Sequence, residues 1–154
     1  MNIFILDSDP VKATQYHSDK HCIKMILETA QLLCGVHWIS GSNTPFKLTH
    51  KNHPCSVWAR ECLENYIWLS ELGISLCNEY TYRYNKIHKS QSIIELCINN
   101  TPNIKINGNM TPFIKAMPNE CKIGNTINSY RIYYMTHKRK FASWKNREIP
   151  EWFK

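Results

Sequence analysis

A chain of 154 residues, 43% hydrophobic and 20% charged, can bury one real core without disulfide staples and is too apolar for extended disorder. Its net charge of +7 is uneven. From Tyr130 onward seven Lys and Arg stand against two Glu, whereas the first 129 residues carry twelve basic against ten acidic residues. A basic terminal segment on a near-neutral body points to an acidic partner, most often nucleic acid; a solvated basic helix has the same charge. Seven cysteines, an odd number with no CxxC spacing, argue against a disulfide framework or a zinc ribbon and read as reduced structural thiols. No apolar run approaches the roughly 18 residues of a membrane span. The opening MNIFIL meets Asp7 and Asp9 at once and so is not a signal peptide. The expectation is a soluble chain in a reducing intracellular compartment, cytoplasmic or nuclear, without a membrane partner.

MNIFILD reads as an extended opening segment. Asp9 can then cap a helix, and Pro10 suits its first turn. From Val11 to about Trp38 the pattern is helical, with an interruption near Ser18 and Asp19. Ile23, Ile26, Ala30, Leu33 and His37 form its inward stripe, widened by Leu27 and Cys34. SGSNTP, residues 40–45, is a loop. A second helical pattern begins at Pro54 and runs to about Asn85, with Val57, Trp58, Cys62, Tyr66, Leu69, Leu72 and Leu76 facing inward. Gly73 in its middle marks a bend or a close approach, since glycine costs a helix about 1 kcal/mol relative to alanine. Residues 96–108 read as an Asn-rich loop and TPFIKAMP as a short element. NTINSYRIYYMTHKRKFASWK is the last helix, with Ile132, Met135, Phe141 and Trp144 as its core anchors, and REIPEWF is an aromatic tail. The expected architecture is mainly α: one compact domain over residues 1–154, a bundle of about three principal helices behind a short extended N-terminal segment.

Four polar constellations stand out. His21 and Glu28 are seven apart, about 20° in azimuth on one helix face, with Lys24 between them. A carboxylate beside Met25 and Leu32 suits a general acid or base; a solvated face with a Lys24–Glu28 pair explains the same letters. In THKNHP, His50, Lys51 and His53 precede a helix N-terminus, where orphan N–H groups favour phosphate. Together with His17 and His21, His50 and His53 also offer a metal set, though no closed motif such as HExxH is present. Glu79 and Arg83 are spaced for an ion pair, and Arg83 is also a candidate phosphate clamp. In the terminal run, Lys138, Arg139 and Lys140 interleave with aromatic residues, a pattern that binds phosphates while rings stack on exposed bases. Walker, GxGxxG and GxSxG motifs are absent, so nothing calls for a nucleotide cofactor.

Asp19-Lys20-His21 followed seven residues later by Glu28, then Glu79-x-x-x-Arg83 and a basic, aromatic C-terminus from Tyr130 to Phe153, resembles the phage-type pyrimidine-dimer DNA glycosylases with abasic-site lyase activity. Those are small, basic, mainly α single domains. The resemblance implies double-stranded DNA as partner, no cofactor, and the chain's own α-amino group as nucleophile. Such amines titrate near pH 8 and are partly neutral at physiological pH. It implies Glu28 as the carboxylate assisting sugar chemistry and His21 as a residue that holds substrate or relays a proton. Two positions depart from the family. Position 2 is Asn, whose bulk discourages removal of the initiator methionine and leaves the amine to Met1. Leu27 and Gln31 stand where the family has arginines flanking the Glu. Two other readings remain: a metal-dependent nucleotide or nucleic-acid hydrolase built on His17, His21, Glu28, His50 and His53, and a non-catalytic nucleic-acid-binding protein.

Overall fold

A computed structural model describes residues 1–154 and is all-helical. Six α-helices follow one another: α1 (Pro10–Tyr16), α2 (Asp19–Ile39), α3 (Pro54–Glu61), α4 (Leu63–Tyr84), α5 (Gln91–Asn99) and α6 (Thr126–Tyr133). α6 runs on through a π turn, Tyr134–Lys138, and a 3-10 turn, Arg139–Phe141. Two of the six, α2 and α4 with 21 and 22 residues, are long; the expected third principal helix is only the eight residues of α6 plus these turns.

Local chemistry sets most boundaries. Asp9 accepts a hydrogen bond from Val11 N–H and Pro10 opens α1; His53 accepts from Cys55 N–H and Pro54 opens α3; Asn125 accepts from Asn128 N–H and caps α6. The long helix expected from Pro54 to Asn85 is broken at Cys62, whose backbone is fully extended (φ −159°, ψ 163°). Leu63 N–H then bonds Lys105 carbonyl instead of continuing the ladder of α3. Residues 96–99, expected as loop, complete α5.

α2 and α4 pack along each other; α1 lies on α4, α3 bridges α2 and α4, and α5 lies against both. Gly73 is the close-approach point. A Cβ there would stand 2.9 Å from Thr29 Cγ2 and 3.3 Å from Ile94 Cγ2, so α2, α4 and α5 meet where only glycine fits. One hydrophobic core draws on both chain ends, from Ile3, Phe4, Ile5 and Leu6 to Trp144 and Phe153. The extended opening segment is thus threaded into the core, each such buried side chain contributing about 1.5–3 kcal/mol. Ile26, Ala30, Leu33, Cys34 and His37 of the expected stripe are buried, whereas Ile23 and Leu27 face outward, each 40% exposed. By length and composition α2 could cross a membrane, with a mean hydropathy of 1.2, but 67% of that window is buried against its neighbours: its apolar character fills the core. All seven cysteines are free and buried.

Candidate active site

His21, Lys24 and Glu28 lie one above another on the N-terminal half of α2, at spacings of three and four. The opening segment crosses this face. Asn2 N–H donates to Glu28 Oε2 at 2.8 Å, and the α-amino nitrogen of Met1 lies 3.7 Å from the same oxygen. Lys24 Nζ lies 3.6 Å from the other carboxylate oxygen. Glu28 is 7% exposed and with His21 forms the floor of a cavity of about 210 Å³, while Lys24 between them is exposed to solvent. Met1, Asn2, Phe4, His21, Tyr133 and Lys138 line it as well.

Asn2 holds the chain end in place. Its side-chain amide donates to Ala116 carbonyl at 2.9 Å, and its oxygen accepts from Ile3 N–H at 2.7 Å and the Cys55 thiol at 3.4 Å. The Ser56 hydroxyl donates to Met1 Sδ at 3.7 Å. The residue whose bulk marked a departure from the family is thus the fastening of the N-terminus. Tyr133 at the end of α6 and Lys138 in the π turn complete the lining, with Tyr134 buried beneath; such turns are frequent at functional sites.

The Tyr134 hydroxyl is buried 2.6 Å from His21 Nδ1 and also accepts from Ser18 N–H. In the tautomer whose Nδ1 accepts from Tyr134, the imidazole proton sits on Nε2, which has no partner within the chain. Phe4 stacks on the same ring, with centroids 4.2 Å apart. Burial, then the charges of His17, Lys138 and Lys24, pushes His21 down to about 3. It is a neutral N–H donor in the cavity, not a proton carrier at neutral pH.

Further cations surround the opening. Lys24 is exposed; Lys138 lies 4.7 Å over Tyr133, and Lys20 lies 5.0 Å over Phe141. Lys140 is exposed and unpaired. His53 stands beside the N-terminus: burial, then the charges of the α-amine and His50, lower its pKa, with Glu28 opposing. Its Nδ1 is occupied in capping α3. His50 and Lys51 lie in the exposed turn before that cap, outside the cavity lining.

Four sequence-based expectations are corrected. Arg83 is no phosphate clamp: it is 2% exposed, and bonds Glu79 and Asp19 and the carbonyls of His17 and Gln15. Arg139 is turned to the C-terminal tail, donating to Phe153 carbonyl at 2.8 Å and to Met135 carbonyl at 3.2 Å, with its guanidinium over the Phe153 ring. The histidine set of the metal alternative is not assembled. His17 is sealed, with Nδ1 on Ala13 carbonyl, His50 is exposed, and no three His, Cys, Asp or Glu side chains come together as a metal requires. Of the terminal anchors, Trp144 is buried, but Tyr130 and Tyr134 are the fully buried aromatics; Ile132, Met135 and Phe141 are only half-buried.

Asp19 of the Asp-x-His motif is an organiser. Its carboxylate accepts from Arg83, from Ser143 Oγ at 2.8 Å and from Lys145 N–H at 2.9 Å, tying α4 and the C-terminal segment to the start of α2. Sequence reading missed Asn2, Phe4, Tyr133 and Tyr134. Position 2 carried a signal only as a family departure, and the tyrosines had none that separated them from their neighbours.

Of three buried histidines lowered by burial, His17, His21 and His37, the first two have the large shifts that make the fold acid-sensitive. His17 is pushed down to about 4 chiefly by burial, against the Ala13 hydrogen bond, and its Nε2 is sealed without a partner, so a second ring proton would be left unbonded. Both histidines titrate in the unfolded chain near the ordinary 6.5 and stay neutral when folded. The stability they confer is complete above 6.5 and lost as pH falls toward 4. Two protons taken up on unfolding correspond to about 3 kcal/mol per pH unit between about pH 5 and 6. Urea unfolding at a series of pH values measures this slope; a flat profile would mean that both rings are charged in the folded protein.

Comparisons of the chain with family models, with curated proteins and with solved structures gave no match.

Proposed function

We propose that the chain is a DNA-repair glycosylase with abasic-site lyase activity on damaged pyrimidines in double-stranded DNA, using its N-terminal amine with Glu28. One observation carries this reading: the α-amino nitrogen of Met1 lies 3.7 Å from Glu28 Oε2 in a cavity whose rim holds Lys24 and Lys138. An amine beside a carboxylate is the pairing that the family resemblance calls for. In the chain lacking Met1 the amine would be that of Asn2, whose nitrogen is 2.8 Å from the same oxygen.

In this mechanism the neutral amine attacks C1′ of the damaged nucleotide, an N–C1′ bond forms, and the base leaves with the bonding electrons. Opening of the sugar ring gives a Schiff base. Loss of a C2′ proton then expels the 3′ phosphate by β-elimination. Glu28 takes the amine proton and opposes the positive charge developing on the sugar. His21 Nε2–H donates to a sugar or phosphate oxygen and so holds substrate. Lys24 and Lys138 pair with backbone phosphates, and lesions flip into the cavity at lower cost because their stacking is already damaged.

The test is borohydride trapping on duplexes carrying an abasic site or a pyrimidine dimer. A covalent adduct is expected that maps to residue 1, disappears when the α-amine is blocked by transamination, and persists in Lys24→Ala. An adduct that survives the block but not Lys24→Ala makes Lys24 the nucleophile. Cleavage that needs a divalent metal and traps no adduct supports the hydrolase reading. Salt-sensitive DNA binding with neither leaves a binding protein.

A further inference from the structure

The C-terminal half of α2 carries different chemistry. Cys34 on α2 and Cys97 on α5 place their sulfurs 3.8 Å apart, the one sulfur–sulfur hydrogen bond among the seven thiols. Cys34 lies six residues beyond Glu28, about 9 Å along the helix axis at 1.5 Å per residue. The hydrogen bond with Cys97, against burial, leads in holding the Cys34 thiol below its ordinary range, and the Thr44 hydroxyl donates to the Cys34 carbonyl at 3.5 Å. Cys97 is pushed up by the same hydrogen bond and by burial, although either sulfur can donate across it. A hydrogen bond from one sulfur to the other favours loss of a proton from the pair, leaving one thiolate beside one thiol.

Cys97 also lines the largest cavity of the molecule, about 490 Å³, beside His37, Thr44, Asn43, Asn100 and Thr101. No Lys, Arg, Asp or Glu contributes to its wall, so an uncharged polar reagent meets no opposing charge on the way to Cys97, the member of the pair at that wall. Tyr66 hydroxyl donates to Cys97 carbonyl at 2.8 Å and lies 2.8 Å from His37 Nε2, which fixes the backbone of Cys97 against α2 and α4.

We propose that Cys34 and Cys97 are an oxidation site: a pair that closes to a reversible disulfide with a peroxide as oxidant. The Cys34 thiolate attacks one oxygen of hydrogen peroxide, the O–O bond breaks, and the departing hydroxide takes up the proton that the thiol had released. The Cys97 sulfur attacks the resulting sulfenic acid, the S–O bond breaks, and the second hydroxide leaves with the Cys97 proton as water. Two thiols lose two electrons and one peroxide becomes two waters. The sulfurs close from 3.8 Å to the disulfide bond length of about 2.05 Å, a shift shared between two side chains and the short helix α5.

The full-length protein, treated with hydrogen peroxide under native conditions, tests this by intact mass and tryptic mapping. The expected result is the loss of two hydrogens, restored by dithiothreitol, with the peptides Met25–Lys47 and Ser90–Lys105 joined; each contains a single cysteine. Cys97→Ser, lacking the resolving thiol, should instead give a Cys34 sulfenic acid captured by dimedone. An unchanged mass in the native protein, or a bridge between any other two of the seven cysteines, overturns the proposal. The wild-type mapping decides the matter even if the serine variant does not fold.

Discussion

Replacing Glu28 with glutamine is expected to slow formation of the borohydride-trapped adduct by about 10²- to 10⁴-fold, the range for loss of a positioned acid–base group. The substitution is nearly isosteric. Its amide oxygen still accepts from Asn2 N–H, now 2.8 Å from the carboxylate, so the chain end stays fastened. What is lost is the charge that receives the amine proton and faces the developing positive charge on the sugar. The Lys24 ion pair goes too, but Lys24 is exposed and an i,i+4 pair contributes only a few tenths of a kcal/mol. The measurement is single-turnover trapping on an abasic-site duplex, beside thermal unfolding of both proteins. An unaltered adduct rate in a folded Glu28→Gln variant would remove Glu28 from the chemistry.

Arg83→Met is expected to destabilise the protein by about 3 kcal/mol, the lower end for breaking a buried ion pair. Arg83 joins three elements: Glu79 on its own helix at 3.0 Å, Asp19 at the start of α2 at 3.0 Å, and the carbonyls that close α1. The carboxylates keep other partners after its removal. Glu79 retains both hydrogen bonds from Arg147, at 2.9 and 3.0 Å, and Asp19 retains Ser143 and Lys145. Burial pushes the Glu79 carboxyl up, and the hydrogen bonds and charges of Arg147 and Arg83 outweigh it, leaving Glu79 below its ordinary range. The carbonyls of His17 and Gln15 have no such reserve in the side-chain network, and their lost donor dominates the cost. Urea unfolding reads this directly. A variant with wild-type stability but weaker DNA binding and a shallower salt dependence would return Arg83 to the phosphate-clamp role.

How much could be read from the letters follows from the range of the interaction involved. Asp9-Pro10, His53-Pro54 and the apolar stripe of α2 act within a few residues, and α1, α2 and the start of α3 stand where those signals put them. The shared face of His21, Lys24 and Glu28 follows from helix geometry alone, and the structure has those three residues on the floor and rim of one cavity. The break at Cys62 was not legible, because it depends on Leu63 turning its N–H to Lys105, 42 positions away. Arg83 reads the same in sequence whether it faces phosphate or Asp19; only the packing of α1 and α2 over α4 decides.

Local signals in the sequence suffice for a mainly helical chain, the starts of α1, α2 and α3, and a carboxylate in register with a histidine on one helix face. Periodicity and capping are local and survive without any knowledge of the partner surface. The tertiary structure decided what lies across from that face. It threaded Ile3 to Leu6 into the core, fastened Asn2 through Ala116 and Cys55, and so set the amine of Met1 beside Glu28. Those contacts join residues up to 114 positions apart, and no local pattern encodes where such distant groups meet.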